Sequence, residues 1–202
     1  MKDLIMGILA IMGLALMILF IPVKCQALDR CIEFKTDVRI EHTKQFGPSM
    51  PWWYGIGQLK QESCCRANVT AFDAGQGVAQ FMPKTAQYIQ SLMGEKLDPY
   101  NPHQAIRMQA FYMARIHHRE NWTDRLWISY QIYNGGAGLL RKESLRAGEA
   151  SWDAMHQSCK RKVLKLKNGN LLDLCTVNYD YSQRVYKYGQ LYRTNVDGMK
   201  FW

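Results

Sequence analysis

One stretch decides how this chain folds: residues 57–86 read GQLKQESCCRANVTAFDAGQGVAQFMPKTA. It holds a single glutamate, Glu62, at the end of a helix-forming run. The segment Ala74–Gly77 then reads as a tight turn, in which glycine lets the backbone approach a ligand closely. Pro83 fits the first turn of the next helix, where the missing N–H of proline costs nothing. A carboxyl group at the end of a helix, followed by such a turn, is a candidate catalytic acid.

The residues before Glu62 predict a helix with one apolar face. Trp52, Ile56 and Leu59 are spaced at i, i+4 and i+7, and Pro51 suits the first turn. Glu62 falls near the C-terminal end of this helix, where the helix dipole is negative and disfavours a second negative charge. The pKa of Glu62 is therefore predicted to lie above its usual value. A carboxyl that stays protonated near neutral pH can donate its proton to a leaving group.

The order of residues after Glu62 resembles the soluble lytic transglycosylase (SLT) family. The matching positions follow without a gap, and they are Glu62-Ser63, Gly77, Gln80, Met82-Pro83 and Thr85-Ala86. Farther along, Asn101-Pro102 is similar to the asparagine-proline helix start of that family. Tyr133-Asn134-Gly135-Gly136 resembles its tyrosine-asparagine-alanine-glycine signature. Tyr181, followed by Arg184-Val185, resembles its C-terminal tyrosine segment, so the match covers roughly residues 50–190.

The chain departs from the family pattern in its glycine-rich turn. Ala71 stands where the family usually has serine, and Ala74-Gly75 stands where it usually has glycine-alanine. The serine hydroxyl is usually credited with one hydrogen bond that helps the acid or the substrate. That hydroxyl is missing here.

The resemblance implies a mainly α, lysozyme-like fold and a peptidoglycan lytic transglycosylase, which is a carbon–oxygen lyase acting on a polysaccharide. Glu62 would protonate the β-1,4 glycosidic oxygen between N-acetylmuramic acid and N-acetylglucosamine, and would then act as a base toward the C6 hydroxyl of the sugar. The product would carry a 1,6-anhydro ring, and no metal or organic cofactor would be required. Tyr133 would hydrogen-bond to Glu62 or position the substrate, and Asn134 would shape the turn that follows. The candidate substrate-binding residues are Ser63, Gly75, Gln76, Gly77, Gln80, Tyr133, Asn134 and Tyr181.

Two other functions fit the same residues. Ordinary glycosidases use two carboxyl groups, and a hydrolytic muramidase similar to goose-type lysozymes would use Asp73 to help activate water. An inactive, membrane-tethered protein that binds peptidoglycan would fit the lost serine hydroxyl at Ala71. Products with anhydro ends indicate the transglycosylase, and products with reducing ends indicate the muramidase.

The N-terminus carries a signal for export. Residues 4–23 contain no charge and are flanked by Lys2 and Lys24, which is typical of a secretion signal or a membrane anchor. Cys25-Gln26-Ala27 offers small residues for cleavage after Ala27, although the apolar run is longer than a usual signal core. We predict an exported protein that is periplasmic, anchored in the inner membrane facing the periplasm, or phage-associated. Its partners would be glycan strands, the membrane through residues 4–23 if uncleaved, and a secretion, conjugation or phage envelope machine.

The composition favours an anionic polymer as partner. The formal net charge is +9, and hydrophobic residues make up 48% of the 202 positions, which excludes a wholly disordered chain. Export favours the cell wall over nucleic acid, and the sequence contains no recognisable nucleic-acid-binding motif.

Six cysteines predict disulfides in an exported protein. Cys159 and Cys175 flank Asn168-Gly169, the strongest short hairpin signal, so a disulfide at the base of a small C-terminal β-hairpin is predicted. Cys31 could pair with Cys64 or Cys65. Cleavage after Ala27 would leave five cysteines and hence one without a partner in the same chain. The spacing of cysteines and histidines does not match a metal site.

The chain is predicted to divide into a signal or anchor (1–27), an irregular lead-in (28–50) and the lysozyme-like domain (51–202). Within the domain, residues 85–93 read as a short helix and 103–118 as a longer one. Asp124 is predicted to cap a further helix, which runs from Leu126 through Trp127, Tyr130 and Tyr133 to the glycines at 135 and 136.

Overall fold

The structure, a computed structural model, describes residues 29–119, 125–160, 162–165, 169, 171–193 and 201–202. This part of the chain is mainly α-helical with one small hairpin, as predicted. In chain order its elements are a 3-10 helix (Arg30–Phe34), α1 (Lys35–Phe46), α2 (Trp53–Ser63), α3 (Pro83–Met93), α4 (Pro102–Arg119), α5 (Leu126–Gly135), α6 (Ala137–Ala147), α7 (Trp152–Ser158), β1 (Val163–Lys165), β2 (Leu171–Asp173) and α8 (Leu174–Gln190).

Helix α2 lies at the centre of the fold, and every one of its residues is buried. The prediction of a single apolar face is therefore incomplete, because the opposite face of α2 is covered as well. Helix α8 packs along that face at very short range. A side chain at Gly57 would overlap the backbone of α8 at Val185 and Gly189, and one at Gly189 would overlap the ring of Tyr54.

The prediction of an irregular lead-in over residues 28–50 is wrong. These residues contain the 3-10 helix and α1, which packs mainly against α4 and also against α2. Helix α1 buries only Val38 and His42, so its sequence carries little of the apolar repeat by which a helix is recognised. The division of the chain at residues 27 and 50 stays a prediction.

The predicted C-terminal hairpin is present. Strands β1 and β2 pair antiparallel, with Val163 opposite Asp173 and Lys165 opposite Leu171. The Cys159–Cys175 disulfide closes its base, as predicted. Position 168 of the Asn-Gly turn lies outside the described residues.

A second disulfide decides between the two partners proposed for Cys31. Cys31 is bonded to Cys65, which lies two residues beyond the end of α2. Cys64 is disulfide-bonded too. Cys31 lies in the 3-10 helix, so this disulfide joins that helix to the end of α2.

The predicted positions of the other helices agree with the structure to within a few residues. Helix α3 begins at Pro83 and α4 begins at Pro102. One face of α4 is buried, and it includes Ile106, Ala110, Met113 and Ile116. Pro51 precedes α2 and is not in its first turn. The N-cap of α5 is Arg125; the predicted cap, Asp124, lies outside the described residues.

None of the helices in the described ranges has the length and apolar character needed to cross a membrane. Residues 4–23 and the cleavage position after Ala27 lie outside those ranges. Export, cleavage and membrane anchoring therefore stay predictions from the sequence.

Candidate active site

Glu62 lies at the C-terminal end of the central helix and is only 9% exposed. The chain turns away directly after it, because Cys64 and Cys65 adopt left-handed backbone angles. The hydroxyl of Ser63 donates to the carbonyl of Val78 over 2.8 Å and so ties the helix end to the following loop. Ser63, a candidate substrate-binding residue, is itself buried, and its hydroxyl makes this contact within the protein.

Burial raises the pKa of Glu62 from its ordinary 4.5 to about 8. The largest cause is loss of hydration, where the sequence had pointed to the helix dipole. The hydroxyl of Tyr181 opposes this effect by donating to the carboxylate, and the charge of nearby Asp73 reinforces it. Glu62 is thus protonated at neutral pH and can act as a general acid.

Tyr181, and not Tyr133, supplies the hydrogen bond to Glu62. Tyr181 lies on α8, 119 residues away in sequence, and donates to Glu62 Oε1. The hydroxyl of Tyr133 instead donates to the carbonyl of Ala79 over 2.8 Å. Tyr133 nevertheless lies close enough that the charge of Glu62 contributes to raising its pKa, after the larger effect of burial. Its other predicted role, positioning the substrate, stays a prediction.

The glycines of the turn after Glu62 are required by the protein's own packing. Gly77 has a left-handed φ of +68°, and a side chain there would overlap the carbonyl of Pro99. A side chain at Gly75 would press on the Gln80 amide. The sequence had suggested instead that these glycines make room for a ligand. Gln76, which lies between them, pairs with Phe81 across the turn through two backbone hydrogen bonds.

Gln80 is the candidate binding residue with a free acceptor. Its Nε2 donates to the carbonyl of Gly77 over 2.7 Å. Its Oε1 is buried and has no hydrogen-bond partner among the described residues. An unpaired buried acceptor is costly, so a donor from a bound ligand would be favourable at this atom.

Asn134 connects the end of α5 to α8, and its predicted role in shaping the following turn stays a prediction. The side-chain amide of Asn134 donates to Asn178 Oδ1 over 2.8 Å. A side chain at Gly135 would overlap the side-chain amide of Asn178. Gln131 donates to the backbone carbonyl of Asn178 over 2.9 Å. These contacts join α5 to α8, the helix that carries Tyr181. A direct role of Asn134 in substrate binding stays a prediction.

Sequence reasoning missed a group of buried polar residues behind Tyr181. Gln58, Gln109 and His42 are fully buried and connect to its hydroxyl. One signal was available, since Gln58 lies one helical turn before Glu62 on a helix otherwise rich in apolar residues. The link to Gln109 and His42 spans three helices and has no local signature.

A comparison with family models matches residues 53–155 to the transglycosylase SLT domain. A solved structure of an inactive mutant of lytic transglycosylase Slt from Pseudomonas aeruginosa is similar, with a TM-score of 0.60 and 18% identity over 78% of this chain and 23% of that one. The 70 kDa soluble lytic transglycosylase of Escherichia coli gives a TM-score of 0.58 and 16% identity over 81% of this chain and 26% of that one. No curated protein sequence matches the chain.

The two solved structures establish the fold, and the chain spans about a quarter of the length of either enzyme. The family match covers slightly more than half of the 202 residues and includes Glu62 and the turn that follows it. The chain therefore belongs to the transglycosylase SLT domain family.

Proposed function

We propose that this protein is a peptidoglycan lytic transglycosylase in which Glu62 is both acid and base. The observation that carries the proposal is a carboxyl buried at the end of the central helix, with a pKa of about 8 and a tyrosine donor on one oxygen. Near neutral pH such a group is mostly protonated, and the carboxylate left after it gives its proton is a stronger base than an ordinary glutamate. It can therefore give a proton in one step and take one in the next.

The proposed reaction needs no second carboxyl group. Protonated Glu62 gives its proton to the glycosidic oxygen between N-acetylmuramic acid and N-acetylglucosamine, and the bond from that oxygen to C1 of muramic acid breaks. The C6 hydroxyl oxygen of the same sugar then bonds to C1 while its proton passes to the Glu62 carboxylate. The 1,6-anhydro ring closes without consuming water, and Glu62 ends as it began.

Two further features of the chain are compatible with glycan binding. Gln80 Oε1 is a buried acceptor for which a sugar hydroxyl or N-acetyl N–H would be a partner. The net charge of +9 would draw the chain to anionic wall polymers. Export through residues 4–23, a periplasmic or membrane-anchored location and work within an envelope machine are parts of the same proposal.

A hydrolytic muramidase is the second candidate, and the position of Asp73 favours it. The charge of Asp73 contributes to the raised pKa of Glu62, so the two carboxyl groups are close enough to interact. In a hydrolase Asp73 would activate a water molecule that takes the place of the C6 hydroxyl.

Digestion of purified peptidoglycan by the full-length chain tests the proposal, with mass spectrometry of the products. We expect anhydro ends, and a loss of at least about a hundredfold in Glu62→Gln, the effect typical of removing a general acid. Glu33→Gln is the matched control, since Glu33 is an exposed glutamate on the 3-10 helix, and it should retain activity. Reducing ends would establish the muramidase instead. Binding without digestion by the wild type would indicate an inactive wall-binding protein.

A further inference from the structure

A line of buried polar side chains leads away from Glu62 into the protein. Glu62 accepts from the Tyr181 hydroxyl, whose oxygen accepts from Gln58 Nε2 over 3.1 Å. Gln58 Oε1 accepts from Gln109 Nε2 over 2.7 Å, and Gln109 Oε1 lies 3.4 Å from His42 Nε2. His42, Gln58 and Gln109 are each 0% exposed, so water cannot replace these contacts.

A backbone carbonyl fixes the direction of this line. Gln109 Nε2 also donates to the carbonyl of Gly55 over 3.2 Å, and a carbonyl oxygen can only accept. If the Gln109 amide were flipped, its oxygen would face both the Gly55 carbonyl and Gln58 Oε1. With Gln109 fixed, Gln58 must turn its oxygen to Gln109 and its N–H to Tyr181. The one hydrogen of the Tyr181 hydroxyl is then left for Glu62.

His42, at the far end of the line, donates in the same direction as the other members. Burial lowers the pKa of His42 to about 4, so its ring is neutral at neutral pH and carries one N–H. We assign that hydrogen to Nε2, because Gln109 presents an oxygen to it and Nδ1 has no partner among the described residues. Position 55 must be glycine for this arrangement, since a side chain there would overlap the His42 ring.

We propose that His42, Gln109 and Gln58 form a one-way series of donors that holds the Tyr181 hydroxyl as a donor to Glu62 and so keeps the transferable proton on Glu62 Oε2. Gln58 and Gln109 are positioning residues, since they act through Tyr181. The catalytic importance of the series rests on the proposed function, whereas its effect on the proton of Glu62 does not.

The series controls which oxygen of Glu62 can carry a proton. Because Oε1 already accepts from Tyr181, a proton on Glu62 resides on Oε2, which receives no hydrogen bond from the described residues. Without Gln58 the Tyr181 hydroxyl could rotate and accept a hydrogen bond from a protonated Oε1 of Glu62. The carboxylate would also lose a fixed donor, so its pKa would rise further. The other titratable groups facing Glu62, namely Tyr133 on α5 and Asp73 in the loop, would be unchanged.

The test measures the pKa of Glu62 by carbon-13 NMR of labelled glutamate carboxyl groups, with the signal of Glu62 identified by its absence in Glu62→Gln. Gln58→Met keeps the length of the side chain but removes the donor, and we expect the pKa to rise by about half a pH unit or more. Gln109→Met leaves Gln58 in place but removes the donor that orients its amide, so we expect a smaller rise in the pKa of Glu62. Gln131→Met is the matched control, because it removes a buried glutamine whose bond lies outside the series.

An unchanged pKa in Gln58→Met, or an equal rise in Gln131→Met, would overturn the proposal. If Gln58→Met does not fold, Gln109→Met decides it by the same criterion. In the active enzyme the alkaline limb of kcat/KM should move upward with the pKa. Absence of anhydro products from the wild type would contradict the proposed function alone, since the NMR measurement does not require catalysis.

Discussion

Glu62 occupies a position that suits proton transfer but lowers the stability of the folded protein when the carboxyl is charged. Its carboxyl is removed from water at the end of the most deeply buried helix, and a single hydroxyl replaces the lost hydration. The protein therefore keeps this residue protonated when it folds near neutral pH. A charged Glu62 is disfavoured in the folded state, and this links its titration to folding.

We expect Glu62→Gln to be more stable than the wild type above about pH 5, with a difference that grows up to about pH 8. The folded state holds the Glu62 proton up to about pH 8, whereas the unfolded chain releases it near 4.5, so the wild type loses stability as pH rises through this window. The gain at pH 8 should be on the order of 4 kcal/mol. Urea unfolding between pH 4 and pH 9 measures it, beside Glu33→Gln. A difference that does not vary with pH would contradict the assigned burial.

At the scale of single elements, the turn after α2 depends on glycine for two separable reasons. Gly77 needs a left-handed backbone and also has no room for a side chain beside Pro99. Gly94, which ends α3, has nearly the same φ of +67° but open space around it. The two positions therefore separate backbone strain from steric overlap.

Gly94→Ala is expected to lower the free energy of unfolding by about 1 kcal/mol, the cost of a left-handed alanine. Gly77→Ala should cost about 3 kcal/mol or more, because the loop must also move away from Pro99. The same movement would displace Gln80, so peptidoglycan digestion should fall in Gly77→Ala and persist in Gly94→Ala. Urea unfolding and digestion assays measure both effects. Equal stability losses would show that Pro99 can move aside at little cost.

At the scale of the whole molecule, α8 connects the central helix α2, the candidate acid Glu62 and the end of α5. It packs along α2, brings Tyr181 to Glu62, and holds the end of α5 through Asn178. Its N-terminal turn is connected to α7 by the Cys159–Cys175 disulfide. The disulfide lies next to the hairpin, whereas Glu62 contacts α8 at Tyr181.

Replacing both Cys159 and Cys175 by alanine should lower the free energy of unfolding by about 3 kcal/mol, because the closed loop of 16 residues no longer restricts the unfolded chain. Digestion at a temperature where both proteins are folded should remain near the wild-type rate. Thermal unfolding of the oxidised wild type, the reduced wild type and the double variant provides the comparison. A large loss of activity in the folded variant would mean that the hairpin supports the site directly.

The sequence by itself determined the features that depend on neighbouring residues. Proline marked the starts of α3 and α4, Asn-Gly between two cysteines marked the hairpin and its disulfide, and the order of short motifs from Glu62 to Tyr181 identified the family. These signals are readable because each acts over a few residues of backbone. The raised pKa of Glu62 was also expected, although from a weaker cause than burial.

The tertiary structure alone decided which groups meet Glu62. Tyr181 reaches it across 119 residues, and Gln109 reaches Gln58 across 51, so no local pattern could rank Tyr181 above Tyr133. Helix α1 escaped prediction because only Val38 and His42 of its residues are buried, and their burial is set by the helices packed against them. Contacts between distant segments depend on the complete packing of α1, α2, α4 and α8, and that packing fixes the direction of every hydrogen bond behind the acid.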